Sequence, residues 1–140
     1  MTVPGISPFE QAVLDMLIAG DDVVLVVLRR QVAAARCVLR ESSGTGFYCT
    51  FEIPSDAPAV VGAPDFEIGD VDATLEGLRH GAGFLLFVRD GRINMLEGYS
   101  YDEEWPEEVG AFALSYRQVP RELFGPGNFG VGSQPPRSRS

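Results

Sequence analysis

Residues 96–108 read LEGYSYDEEWPEE, with Glu97, Asp102, Glu103, Glu104, Glu107 and Glu108 set around Tyr99, Tyr101 and Trp105. Three chemistries use such residues. Two carboxyls, for instance those of Glu97 and Asp102, can act as the acid and base of a hydrolase when their separation suits it. Several carboxylate oxygens can hold a hard cation. Flat amphipathic rings among carboxylates suit an arginine-bearing basic protein, because arginine both stacks and pairs. The spacing ranks them. A calcium loop alternates Asp or Asn, turns on a central glycine and closes on a later glutamate. Neither this stretch nor DVDATLEG, 70–77, has that pattern, so no metal site is expected. Carboxyl separation is not legible in a sequence, and no other feature supports the hydrolase.

Other catalytic sets are poor. The one histidine, His80, sits in GLRHGAG and reads as an exposed residue of a glycine-flanked turn. Ser42 and Ser43 have no neighbouring base. No P-loop occurs, and no GxGxxG opens a helix after a strand, since GPGNFG at 125–130 falls in the Gly/Pro/Ser-rich tail. All eleven basic residues are arginine, which removes Schiff-base and lysine-base chemistry. Cys37 and Cys49 lack metal-ligand spacing and fall in strand-like segments, so they read as buried thiols rather than a disulfide. The expectation is no catalytic residue, no metal and no cofactor.

The 140 residues suffice for one domain with a real core, and 45% hydrophobic with 22% charged is ordinary globular composition. A formal charge of -9 opposes any broad grip on a phosphate backbone or an anionic bilayer surface. Nucleic acid and membrane are thus not expected partners; a basic protein is. The start MTVPGISPFE has neither the basic residues nor the apolar run of a signal peptide. The longest aliphatic run, VVLVVL at 23–28, is too short to span a bilayer. A soluble cytoplasmic protein is expected.

The elements that must position these residues can be read next. Ser7-Pro8-Phe9-Glu10 is a capping-box start, and Phe9, Val13, Leu14, Leu17 and Ile18 form one apolar stripe ended by Gly20. Asp21 and Asp22 can cap a second helix over 22–35, in which Leu25, Leu28, Val32 and Ala35 keep helical spacing. From there the period becomes two. CVLRE, 37–41, and FYCTFEI, 47–53, read as a hairpin, and the proline-rich 54–64 as a loop. Within 66–78, Phe66 and Ile68 share one parity while Val71, Ala73 and Leu75 share the other. A bulge at Gly69-Asp70 would bring all five to one face and put Asp70, Asp72 and Glu76 on the wetter one.

Asp90-Gly91 between alternating runs is the preferred two-residue hairpin turn. Counting outward from it pairs Arg89 with Arg92, Leu86 with Met95 and Phe84 with Glu97. That register places Glu97 and Tyr99 on the apolar face with Phe84, Leu86 and Val88, and leaves Leu85, Phe87 and Leu96 on the mixed face. A carboxylate in such a place either finds a partner or stays protonated, which makes Glu97 the one candidate for a tuned acid. AFALSYR, 111–117, reads as the last strand. Two N-terminal helices packed on one face of an antiparallel sheet of about five or six strands make an α+β domain over 1–124. The Gly/Pro/Ser-rich 125–140 is expected to be a disordered tail.

GFLLFVRDGRINMLEGYSYDEEWP resembles a stretch shared by small uncharacterised bacterial proteins with an LEGYxYxExWP-type signature. The similarity runs back through LRRQVAAARCVLRE and GTGFY and covers most of residues 8–117. It implies no particular activity. In size, charge and build the chain also resembles, more loosely, the immunity proteins that neutralise bacterial toxins; that likeness carries over no catalytic residue. The leading expectation is a non-catalytic, acidic protein-binding module of immunity or adaptor type. Its surface would comprise Glu97, Tyr99, Tyr101, Asp102, Glu103, Glu104 and Trp105, extended by Asp70, Asp72 and Glu76. The rival readings are a small-ligand or hydrolase site near Glu97 and a homodimer formed through the mixed face of Leu85, Phe87 and Leu96.

Overall fold

The computed structural model describes residues 5–117. The segment 125–140 lies outside the described residues, as do 1–4 and 118–124. Helix α1 is Pro8–Leu17 and α2 is Val23–Ala34. Seven strands follow: β1 Arg36–Ser42, β2 Gly46–Glu52, β3 Phe66–Ile68, β4 Val71–Leu75, β5 Leu78–Arg89, β6 Arg92–Ser100 and β7 Phe112–Tyr116. All pair antiparallel in one sheet of order β1-β2-β6-β5-β4-β7, with β3 beside the far end of β5.

The capping box at α1 is complete. The Ser7 hydroxyl accepts the Glu10 N–H at 3.1 Å, and the Glu10 carboxylate accepts the Ser7 N–H at 2.9 Å. Asp22 caps α2 by accepting the Val24 N–H at 2.9 Å. Arg29 of α2 reaches back to the Ile18 and Gly20 carbonyls at 2.6 and 2.9 Å, which satisfies the end of α1 and fixes the angle between the helices. Both helices bury their stripes, Phe9, Val13, Leu14, Leu17, Leu25, Leu28 and Val32, on one face of the sheet. The core there is completed by Phe51, Phe66, Ile68, Val71, Phe84, Leu86, Val88, Ile93 and Leu96. Phe66, Ile68, Val71, Ala73 and Leu75 do share this face, split into two short strands at Gly69-Asp70.

The expected architecture is therefore present, with seven strands where five or six were expected, because the single run read over 66–78 is two strands, β3 and β4. Strand β5 is longer than its sequence suggests. It starts at Leu78, straight after the turn at Glu76-Gly77, so His80 is an exposed strand residue, not a turn residue.

The two ends of the sheet differ. At one end the Asp90-Gly91 turn has positive φ at both residues, 53° and 75°. Gly91 is required twice over, since a Cβ there would also lie 2.1 Å from the Val60 carbonyl oxygen. The fully buried Gln31 of α2 locks this end. Its amide donates to the Pro58 and Gly91 carbonyls at 2.9 Å each, and its oxygen accepts the Ile93 N–H at 2.8 Å. At the other end the 101–111 loop crosses from β6 to β7. There the Ser100 N–H bonds Thr45, the Trp105 N–H bonds Gly44 and the Glu76 N–H bonds Ala111.

Candidate functional site

Hairpin β5–β6 does not keep the register counted from its turn. Val88 pairs with Ile93 but Phe87 pairs with Met95, so Asn94 is an extra residue in β6. A bulge of one residue moves every later side chain to the opposite face. Leu96 is fully buried beneath the helices, while Met95, Glu97 and Tyr99 are half-buried on the open face with Leu85 and Phe87. Glu97 lies between Tyr48 of β2 and Leu85 of β5, away from the apolar core. The placement that made it a candidate tuned acid is therefore corrected, and the mixed face loses Leu96. The bulge also brings Gly98 under Phe47, where a Cβ would meet the ring at 2.3 Å.

The other residues of the acidic stretch separate into two groups. One group holds the loop in place. Ser100 is buried, with its hydroxyl accepting the Glu103 N–H and lying in reach of the Thr45 and Glu103 carbonyls. The Glu103 carboxylate accepts the backbone N–H groups of Arg79 and His80 at 3.0 Å each, which stitches the loop to the start of β5. Those bonds, the His80 amide foremost and then that of Arg79, hold its carboxyl below the usual glutamate range. Trp105 packs on Phe47 with ring centroids 5.4 Å apart and covers the sheet's end. The second group faces solvent: Tyr101, Asp102, Glu104, Glu107 and Glu108 are exposed.

Tyr99 and Tyr101 meet edge to face at 5.8 Å. Although Tyr101 is exposed overall, partial desolvation, and then the neighbouring Tyr99, raises its phenol above the ordinary range. Of the acidic extension, Asp72 takes a two-pronged bond from Arg117, at 3.2 Å from Nε and 2.6 Å from the terminal nitrogen. The same guanidinium lies 3.5 Å from the Tyr99 hydroxyl. Glu76 accepts the Ala111 N–H at 3.3 Å, and the Asp70 carbonyl accepts the Arg117 N–H at 2.9 Å. Asp72 and Glu76 are thus engaged with the chain's own groups.

Two grooves flank the loop. One, of about 850 Å³, runs over β4 and β7 and carries Asp72, Thr74, Glu76, His80, Tyr101 and Ser115. The other, of about 960 Å³, lies between the loop, the N-terminus of α1 and the β1–β2 turn. Its apolar lining is Phe9, Phe47, Trp105, Val109 and Phe112, with Phe9 and Phe112 edge to face at 4.9 Å. Five carboxylates, Glu10, Glu41, Glu104, Glu107 and Glu108, line it against one cation, Arg40.

That cation is already spent. Glu10 is 4% exposed, and its carboxylate accepts Arg40 Nε at 2.9 Å and the terminal nitrogen at 2.6 Å, besides the Ser7 N–H. The Glu10 carboxylate in turn raises the Arg40 guanidinium further above its ordinary range. What remains facing the groove is negative charge over an aromatic floor. Sequence reasoning found Glu104 and Trp105 but missed Phe9, Phe47, Glu41 and Phe112. These come from four separated segments, and no local spacing joins them.

Neither groove includes Glu97. Among the described residues no group of three or more His, Cys, Asp or Glu side chains is placed to hold a metal ion, and no helix is long and apolar enough to cross a membrane. In comparisons with known proteins, no family model matches the chain, and no curated protein or solved structure does either.

Proposed function

We propose that the chain is a non-catalytic module, of immunity or adaptor type, that binds a basic protein in the cytoplasm of a bacterium. The observation that carries this reading is the groove of about 960 Å³, whose floor is aromatic and whose lining keeps four carboxylates, Glu41, Glu104, Glu107 and Glu108, once Glu10 and Arg40 have paired with each other. An arginine of the partner fits both halves of it. The guanidinium plane stacks on rings such as Trp105, and its five donors pair with the rim carboxylates. The overall charge of -9 steers a basic partner towards the surface, an effect that salt screens. The recognition surface thus shifts from the whole 97–105 stretch to the groove side of it, since Glu103 is engaged with backbone amides.

The test is a comparison of two charge-reversed variants in a pull-down from the native host, washed at low and at high salt. Glu104→Arg/Glu107→Arg/Glu108→Arg changes only exposed groove residues and loses a partner that the wild type holds at low salt. Glu97→Arg, on the open face, keeps that partner. A partner held equally by both variants would remove the groove from the reading. The sole tryptophan, Trp105, lies in the groove, so its fluorescence reports occupancy directly.

A further inference from the structure

Among the described residues, strand β1 is an edge of the sheet, joined to it through β2. Its first residues pair Cys37 with Phe51; a bulge at Val38 then brings Arg40 opposite Cys49. Cys37 and Cys49 are consequently diagonal neighbours on adjacent strands, both facing the helices and both 0% exposed. Their sulfurs lie 2.6 Å apart, well inside ordinary sulfur–sulfur contact, and the Cys37 thiol points to the Leu39 carbonyl at 3.6 Å. Both cysteines are free, yet their sulfurs are already in contact and need little movement to reach a covalent separation of ~2.05 Å.

We propose that Cys37 and Cys49 are a dithiol that closes to a disulfide by exchange with a low-molecular-weight disulfide, clasping the edge strand β1 covalently to β2. One cysteine thiolate attacks the small disulfide, forming a mixed disulfide and releasing one small thiolate. The second cysteine thiolate attacks the protein-side sulfur and releases the other. Two electrons pass from the protein pair to the small disulfide, and the two cysteine protons end on the two small thiols. Burial, reinforced by the bond to Cys37, pushes the Cys49 thiol well above its ordinary range, so the folded protein presents little thiolate. Exchange therefore proceeds while β1 is undocked, and redocking shields the closed bond from reductant. The pair stays reduced in a reducing compartment and closes in an oxidising one. This inference is independent of the groove.

The test uses the full chain, equilibrated with graded ratios of oxidised to reduced glutathione in native buffer and, separately, in concentrated urea. Samples are acid-quenched, alkylated with N-ethylmaleimide under denaturing conditions and weighed intact. In native buffer the form that takes no maleimide is expected to accumulate at a ratio at least about tenfold less oxidising than in urea, because the fold holds the sulfurs together. Cys49→Ser, checked for folding by circular dichroism, is expected to take a single glutathione or maleimide and never to close. Two maleimides at every ratio, a persistent glutathione adduct on the wild type, a cross-linked dimer, or equal ratios in buffer and urea would each overturn the proposal. If Cys49→Ser does not fold, the buffer-to-urea comparison alone decides.

Discussion

The two ends of the sheet are built by opposite means. At the Asp90-Gly91 end a single buried amide, that of Gln31, satisfies one N–H and two carbonyls within the core. Loop, hairpin turn and helix are joined there with little left over for a partner. At the 101–111 end the loop is also anchored, by Ser100, Glu103 and Trp105, but a surplus of carboxylates and aromatic surface remains outside the anchors. The difference separates acidity that stabilises the fold from acidity that is free to meet something else. Glu10, Asp72 and Glu103 belong to the first kind; Glu104, Glu107 and Glu108 to the second.

The comparison can be broken at its strongest point. Gln31→Leu leaves the buried Ile93 N–H without a partner and takes one bond each from the Pro58 carbonyl, on an exposed residue, and the Gly91 carbonyl, which keeps the Val60 N–H. At about 1–3 kcal/mol for an unsatisfied buried group and about 1 for each lost bond, a loss of about 3 kcal/mol is expected, read as a lower urea midpoint. Groove binding by the folded fraction should persist; its disappearance would mean that the two ends are not separable. Trp105→Ala is expected to cost about 2 kcal/mol, less than the ~3–5 of a fully buried tryptophan because this one is only partly covered. It should weaken partner binding as well, since the same ring floors the groove.

Glu103 offers a finer probe. Its carboxyl is held below the ordinary range in the folded protein, so the stabilisation it supplies is present above the unfolded-state value and is lost as pH falls through the folded one. The backbone amide resonances of Arg79 and His80 should therefore titrate with a midpoint below that of free glutamate. A midpoint in the ordinary range would show that the loop is not stitched through this carboxylate. The smallest effect on stability is expected from the rim reversal at Glu104, Glu107 and Glu108. Exposed changes of this kind usually stay within about 0.5 kcal/mol, so lost binding with an unmoved urea midpoint separates recognition from folding.

Much of this molecule is legible in its sequence. The capping box at Ser7–Glu10, the stripe on α1, the Asp90-Gly91 turn and the phase change at Gly69-Asp70 are all local signals, carried by residues within a turn or two of one another. The face of Glu97 was not legible. The turn sets the register only as far as the first irregularity, and Asn94 carries no glycine or proline to mark a bulge. Nor could the sequence separate Glu103 from Glu104, because one meets two backbone amides some 24 residues away and the other meets solvent.

The sequence by itself determined the element types, the helix-covered sheet and the acidic balance, since each follows from periodicity, caps or composition. Only the tertiary structure decided which carboxylates are engaged, which aromatics share a floor and which cysteines touch. Those outcomes depend on pairings between distant segments, and a one-residue bulge in β6 is enough to reverse which side of the sheet a residue serves.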